Sequence, residues 1–293
     1  MDTRTLGRTG QESSVLTLGA IVLDWLSQGG ANQAVELALS HGVNHIDVAP
    51  TYGDAELKLG PKLREHRQEV FLGCKTNERT YEAASAELDR SLNRMGIDHI
   101  DLYQFHGLER ADELDTITGD DGALRAFREA KEEGVIDHIG LTSHGHPDLV
   151  HDAIDRIDDL ETVMLPMNFT VAGSDDADHD YASVLDRVRA EGMGAIGIKA
   201  FAKGPWPPTD DLPKANRPYA TWYEPYDTQS DVGDCLDFAL SQGLTTVTNA
   251  GDPKLLAMIL DAAERFSELS DEEQEELVER GKSEESPVPA QLG

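Results

Sequence analysis

The alternation of short apolar runs with amphipathic stretches constrains this 293-residue chain more than any other feature. Eight apolar runs have the length of β-strands and lack regular polar alternation, which is typical of parallel strands buried on both faces. The predicted strands are Val15–Leu18, Asn44–Val48, Val70–Lys75, Ile100–His106, Ile139–Thr142, Thr162–Met167, Ala195–Ala200 and Thr245–Thr248.

Segments with apolar residues at intervals of three and four, the spacing of an amphipathic helix, follow the strands. The predicted helices are Gln33–Ser40, Ala55–Glu65, Tyr81–Met95, Ala123–Glu133, Pro147–Ile157, Tyr181–Glu191, Asp231–Ser241 and Pro253–Phe266. Eight strand–helix units in a chain of this length predict an α/β fold, a (β/α)8 TIM barrel formed as one domain by residues 1–293, rather than an open doubly wound sheet.

Four segments lie outside this repeat. Gly7–Gly10 predicts the turn of a short N-terminal β-hairpin that plugs the barrel bottom. Ser270 and Glu273 form a capping-box pattern that predicts a last, acidic helix. Residues 203–230, after the seventh strand, form a long aromatic-rich loop that we expect to wall the substrate pocket. Residues 283–293 are expected to form a mobile tail.

Polar residues end several predicted strands, where (β/α)8 barrels carry their active sites. Asp47, Lys75 and His106 end the second, third and fourth strands, and Tyr52 follows on the second loop. A phenol has a pKa of about 10 and is a weak acid unless a nearby cation stabilises its phenolate. Lys75 would supply that cation, Asp47 would hold Lys75 in place, and His106 would hydrogen-bond a substrate oxygen. These side chains together predict a proton donor to a carbonyl group.

The same residues carry a family resemblance. Asp47–Gly53, Gly73–Thr76, Leu102–His106 and Ile139–Gly145 resemble, in order, motifs of the aldo-keto reductase superfamily, and Arg4–Gly10 resembles its usual start. The resemblance implies a reductase of small aldehydes or ketones that uses NADPH, or alternatively NADH, and no metal. It also implies that Tyr52 is the general acid, that Lys75 and Asp47 lower its pKa, and that His106 orients the carbonyl.

The resemblance further implies a set of cofactor contacts. These fall at Gly19, Thr142, Ser143, Asn168, Ile198, Lys199, Phe201, Asn249, Ala250, Gly251 and Lys254. Two family positions differ, because Met164 replaces the usual glutamine and Ile198 replaces the aromatic residue that stacks on the nicotinamide. At the usual 2′-phosphate site the chain has Asn249 and Leu255, with Lys254 adjacent. We therefore expect the 2′-phosphate of NADPH to matter less than is usual in the family.

Two other functions compete with the reductase. A metal-dependent barrel hydrolase would use His45, His106, His144 and His146, with Asp47 on the same strand face as His45. The alternative is a barrel that binds a nicotinamide cofactor without turning it over, as a sensor or a partner subunit. The altered cofactor contacts favour that alternative, whereas the complete set of four polar residues argues against it.

The net charge of −31, from 25 Lys+Arg and 56 Asp+Glu, limits the possible partners. Without a basic patch, such a chain repels nucleic acid and anionic membranes, so we expect a small-molecule carbonyl substrate as its partner. The sequence leaves the oligomeric state open. We interpret the charge as an adaptation to molar salt, where the Debye length is about 3 Å. The competing interpretation is an acidic protein from an ordinary mesophile.

Location follows from three further observations. No run approaches the roughly 18 to 20 apolar residues that cross a membrane, and the first residues lack the charged and apolar regions of a signal peptide. The two cysteines, Cys74 and Cys235, are too few for a disulfide framework or a four-thiolate metal site. We expect a cytoplasmic protein.

Overall fold

The computed structural model describes residues 1–174, 176–286 and 288. An antiparallel hairpin of β1 (Thr3–Thr5) and β2 (Glu12–Ser14) precedes a closed barrel of eight parallel strands. The first seven barrel strands are β3 (Leu16–Gly19), β4 (His45–Asp47), β5 (Phe71–Thr76), β6 (Ile100–Leu108), β7 (Ile136–Ser143), β8 (Thr162–Pro166) and β9 (Gly194–Ile198). A separate two-stranded ribbon of β10 (Ala202–Pro205) and β11 (Tyr223–Pro225) follows them. The eighth barrel strand is β12 (Thr246–Thr248). Each predicted strand is present, and the predicted barrel is confirmed.

Helices surround this barrel and bury their apolar faces against it. They are α1 (Gln28–Ser40), α2 (Ala55–His66), α3 (Tyr81–Met95), α4 (Ala111–Thr118), α5 (Ala123–Glu132), α6 (Pro147–Arg156), α7 (Phe169–Ala172), α8 (Tyr181–Ala190), α9 (Gln229–Ser241), α10 (Pro253–Glu264) and α11 (Asp271–Gly281). The start of α1 was predicted five residues too late, because Gly29 and Gly30 lower helix propensity while Ser27 caps the helix by accepting a hydrogen bond from the amide of Gly30. The capping box at Ser270 is confirmed at the start of α11.

The N-terminal hairpin closes the amino end of the barrel, as predicted. Gly7 has φ +50°, and a Cβ atom there would lie 2.2 Å from the amide nitrogen of Gly194, so the turn fits against β9 only without a side chain. The amide of Arg8 donates to the carbonyl of Gly192 at 2.7 Å. Leu6 is fully buried inside the barrel. It packs in a cluster with Phe71, Leu102, Met164, Ile196 and Ile198.

The aromatic-rich loop contains structure of its own, the β10–β11 ribbon. Trp206 donates its indole N–H to the carbonyl of Thr221 at 2.7 Å and so ties the loop together. Of the predicted tail, residues 287 and 289–293 lie outside the described residues. Val288 is buried, with its carbonyl 3.2 Å from His179 Nε2. No helix in the described parts of the chain is long and apolar enough to cross a membrane.

Candidate active site

A cavity of about 360 Å³ opens at the carboxyl ends of the barrel strands. Asp47, Tyr52, Lys75 and His106 all line it. The parallel topology explains this convergence, because β4, β5 and β6 are consecutive neighbours and their ends lie at one rim. The structure therefore brings together the three residues that the sequence placed at strand ends and Tyr52 from the loop after the second predicted strand.

A buried ion pair forms the floor of the cavity. Lys75 Nζ donates to Asp47 Oδ2, and the two residues are 1% and 2% exposed. Gln104 Nε2 donates to Asp47 Oδ1 at 2.9 Å, so both carboxylate oxygens accept hydrogen bonds. Burial disfavours the ammonium, but Asp47 and, to a smaller extent, Tyr52 together raise the pKa of Lys75 above its ordinary value. Lys75 is therefore protonated at neutral pH. Gln104 was not predicted, although it lies two residues before His106 on the same strand.

Tyr52 lies beside this cation. Lys75 Nζ is 5.3 Å from the centroid of the Tyr52 ring, and the ring meets His106 edge-on at a centroid distance of 5.9 Å. Burial raises the pKa of Tyr52 above its ordinary value, Lys75 offsets part of this rise, and Asp47 adds to it. The expectation that Lys75 and Asp47 both lower this pKa holds for the direction of the Lys75 effect and is wrong for Asp47, because a carboxylate disfavours a nearby phenolate. In the structure, burial outweighs the effect of Lys75.

His106 is a neutral imidazole whose tautomer depends on a loop residue. Burial, helped by Lys75, lowers its pKa to about 2. His106 Nδ1 lies 2.8 Å from Asn77 Oδ1, which places the ring proton on Nδ1. Rotating the Asn77 amide by half a turn would move that proton to Nε2, the form that donates to a substrate oxygen. Asn77 follows β5 directly, yet no pattern in the sequence marked it.

The predicted cofactor contacts divide into two groups. Those that line the cavity are Gly19, Thr142, Ile198, Lys199, Asn249 and Gly251. Those that do not line it are Ser143, Asn168, Phe201, Ala250 and Lys254. The cavity-lining group includes one donor hydroxyl, one ammonium and the apolar side chain of Ile198.

Two polar side chains outside the cavity are engaged within the protein. Ser143 Oγ donates to the carbonyl of Leu108 at 2.7 Å and accepts from the amide of Gly145 at 2.9 Å. Asn168 donates from Nδ2 to the carbonyl of Lys199 at 2.9 Å, while its Oδ1 caps α7. Both residues shape the loops around the cavity. The sequence could not show this, since hydrogen-bonding capacity does not specify the partner.

The N-terminus of α10, where a 2′-phosphate was expected, already holds a carboxylate. Asp252 accepts from the amide of Lys254 at 2.8 Å and from the amide of Ala220 at 2.7 Å. The ammonium of Lys254 donates to the carbonyl of Pro218 at 2.7 Å. The negative charge of Asp252 thus lies where an incoming anion would be stabilised by the helix.

The histidines proposed as metal ligands are used separately. His45 is fully buried, with Nδ1 3.0 Å from Ser13 Oγ, and His146 Nδ1 caps α6 by accepting from the amide of Asp148. Across residues 1–174, 176–286 and 288, the groups with three metal-ligand atoms within 4.8 Å of one another are Glu36, Glu65 and His66, and His99, Asp101 and Asp137. Neither group lies at the cavity, so the ligand set of the hydrolase hypothesis does not assemble there.

Comparison with known proteins identifies the family. The sequence profile of the Aldo/keto reductase family matches residues 16–280, which is most of the chain. The chain belongs to this family. The oxidoreductase YqkF of Bacillus subtilis is 29% identical over 157 residues, 49% of this reductase and 49% of YqkF. L-galactose dehydrogenase of Arabidopsis thaliana is 26% identical over 220 residues, 70% of this chain and 66% of the plant protein.

Similarity of fold to solved structures extends over the whole chain. Aldo-keto reductase AKR11C1 from Bacillus halodurans superposes with a TM-score of 0.73 at 21% identity, covering 100% of this chain and 98% of that one. At this identity the likeness shows a common fold. The chain spans about half the length of the curated relatives it matches first, with 49%, 40% and 54% of their lengths covered.

Two tryptophans flank the cavity of this aldo/keto reductase. Trp25 and Trp222 are each 53% exposed although both line the cavity. Trp25 donates its indole N–H to the carbonyl of Gly251 at 3.1 Å, and Trp222 packs edge-on against Tyr223. Trp222 and Tyr223 belong to the predicted aromatic loop, whereas Trp25, from the loop before α1, was not predicted.

Proposed function

We propose that this aldo/keto reductase interconverts a small aldehyde or ketone and its alcohol, using NADPH or NADH, with Tyr52 as the proton donor. Membership of the family supports an oxidoreductase that acts on carbonyl compounds. One observation carries the finer proposal: the Tyr52 phenol lies at the cavity directly beside a buried lysine whose charge Asp47 maintains. The neutral His106 lies edge-on to the same phenol.

The roles of the residues follow from where charge develops. When bound, the dihydronicotinamide supplies a hydride to the carbonyl carbon. Tyr52 donates its phenolic proton to the oxygen that becomes negative, which gives the alcohol. Lys75 stabilises the phenolate left on Tyr52, which regains a proton from solvent. His106 orients the carbonyl oxygen by donating from Nε2, in the tautomer that the rotated Asn77 amide would favour. In the reverse direction Tyr52 acts as the base.

The lining of the cavity fits a nicotinamide ring. Ile198 and Met164 present an apolar surface that suits a flat ring. Thr142 Oγ1 accepts from the amide of Gly107 at 2.8 Å, and within the described residues its hydroxyl proton meets no acceptor. Thr142 would therefore donate to the carboxamide of the ring. Gly19 and Asn249, joined at 2.8 Å, would complete the wall toward β12.

We expect only a weak preference for NADPH over NADH. Asp252 opposes a 2′-phosphate, and Lys254 is engaged with a loop carbonyl. A hydrogen bond to a charged group contributes about 1.5–3 kcal/mol, so its loss reduces the usual preference by at least about tenfold. The ratio of kcat/KM with NADPH to kcat/KM with NADH measures this preference. Asp252→Asn should raise that ratio, and a strong NADPH preference in the unmodified enzyme would contradict the proposal.

We propose further that the enzyme works in a cytoplasm of molar salt. Its net charge of −31 destabilises the folded state by self-repulsion and opposes a polyanionic cofactor unless salt screens both effects. Thermal unfolding and cofactor titration across a series of KCl concentrations should show Tm and affinity falling together as KCl is removed. Unchanged Tm and affinity at low ionic strength would favour the acidic mesophile instead and leave the reductase proposal standing.

A further inference from the structure

Lys199, at the end of β9, has an unusual backbone. In the described part of the chain it is the non-glycine residue with a positive φ, at 60°. Side chains disfavour this left-handed conformation, which persists only where the surroundings enforce it. Here the Lys199 carbonyl accepts from Asn168 Nδ2 at 2.9 Å and from the amide of Ala202 at 3.1 Å. These two bonds fix the direction in which the Lys199 side chain leaves the barrel.

The side chain of Lys199 ends in an aromatic setting without a counter-ion. Its Nζ lies 5.0 Å from the ring centroid of Trp222 and 5.6 Å from that of Tyr223. Within residues 1–174, 176–286 and 288, no hydrogen bond or ion pair engages this ammonium. Nearby Lys203, by contrast, donates to Glu224 at 2.8 Å. An unpaired lysine is unexpected in a chain with 56 acidic and 25 basic residues.

The cavity therefore carries a positive charge inside a strongly negative protein. Its charged lining residues are Asp47, Lys75 and Lys199, and the first two neutralise each other. Burial lowers the pKa of His106 to about 2 and that of His144 to about 3, so both are neutral at pH 7. One unmatched ammonium remains. A partly buried charge in a concave site attracts small anions more strongly than the same charge on an open surface.

We propose that Lys199 binds an anionic group of the substrate, so that the preferred substrates are aldehydes or ketones that carry a carboxylate or a phosphate. This inference rests on the proposed reductase function. Trp222 and Tyr223 hold the ammonium in place at the wall of the cavity that Tyr52 and His106 also line. The proposal therefore differs from the family resemblance, which implied that Lys199 contacts the cofactor. Lys199 lines the same cavity as Tyr52 and His106, and its ammonium adds to the burial that lowers the pKa of His106 and of His144.

The test compares two substrates of nearly the same shape, 4-carboxybenzaldehyde and its neutral amide, 4-carbamoylbenzaldehyde. We expect kcat/KM to favour the carboxylate, and Lys199→Met to reduce that preference by about 10- to 100-fold, mainly through KM, because a charge-assisted hydrogen bond is lost. Lys203→Met, which removes a lysine outside the cavity, should leave the preference unchanged. Glyceraldehyde 3-phosphate against glyceraldehyde distinguishes a phosphate from a carboxylate substrate.

Two results would overturn the inference. One is an unchanged preference in Lys199→Met. The other is an equal loss with the charged and neutral substrates together with weaker NADPH binding, which would show that Lys199 holds the cofactor. If the unmodified enzyme reduces no aldehyde, the reductase proposal fails by itself. Calorimetric titration with benzoate and benzamide then still tests the anion site: benzoate binding that is lost in Lys199→Met supports it, and equal binding by both proteins contradicts it.

Discussion

Tyr52→Phe is expected to lower kcat for carbonyl reduction by about 10²- to 10⁴-fold, the usual contribution of a positioned general acid. The substitution removes one hydroxyl and keeps the ring that packs edge-on against His106 and beside Lys75. The cavity should therefore keep its shape, and NADPH should bind almost as before. Stopped-flow rates of NADPH oxidation with an aldehyde in excess measure the loss. Quenching of tryptophan fluorescence, with Trp25 and Trp222 at the cavity, measures binding.

Full activity in Tyr52→Phe would exclude Tyr52 as the proton donor. The same measurements test the alternative of a sensor or partner subunit. That alternative predicts that the unmodified protein binds NADPH tightly but oxidises it with none of a panel of aldehydes, ketones and quinones. Chelation of metals should leave the activity unchanged, whereas a loss of activity with a chelator would favour the metal-dependent hydrolase.

Lys75→Met is expected to cost both stability and activity. It leaves the Asp47 carboxylate buried without its counter-ion, and among the described residues Gln104 is its one remaining side-chain partner. Breaking a buried ion pair in this way destabilises a protein by about 3–5 kcal/mol. The phenolate of Tyr52 also loses the cation that lowers its pKa. Chemical denaturation measures the loss in the free energy of unfolding, and kcat measures the catalytic loss.

The double variant Lys75→Met/Asp47→Leu separates the two roles of the ion pair. Replacing both charges with apolar side chains removes the unpaired carboxylate, so most of the lost stability should return. Activity should not return, because no cation faces the phenol. A stable and active double variant would contradict the role proposed for Lys75. A single variant as stable as the unmodified protein would show that Asp47 is neutralised in another way.

The sequence predicted the barrel because parallel strands buried on both faces leave a continuous apolar run. The predicted helix starts were less accurate than the predicted strands. At α1, two glycines in the first turn after Ser27 lower the helix propensity, so the predicted start was too late. Asp47, Lys75 and His106 could be located because each ends a strand, and the ends of parallel strands share one rim. Trp25 was missed because it lies in a loop without periodicity.

The hydrogen-bond partners of the site residues could not be predicted from the sequence in the same way. Asn77 against His106, Gln104 against Asp47 and Ser13 against His45 are contacts between different elements, and residue type alone does not select among many possible partners. The relative sizes of the opposite effects of Lys75 and Asp47 on the pKa of the phenol likewise depend on their distances from it.

The sequence by itself thus determined the (β/α)8 barrel, its hairpin plug and the four residues at its rim. It did so because the local pattern of apolar and polar residues indicates which segments are buried strands and in what order they follow. Only the tertiary structure decided that Lys254 is engaged with a loop carbonyl and that Lys199 meets no counter-ion within the described part of the chain. The physical reason is that the groups that neutralise or hydrogen-bond a charged side chain come from other elements, which only the tertiary fold places near it. In this acidic chain the fold brings the rings of Trp222 and Tyr223 to Lys199, and none of the carboxylates that the structure describes pairs with it.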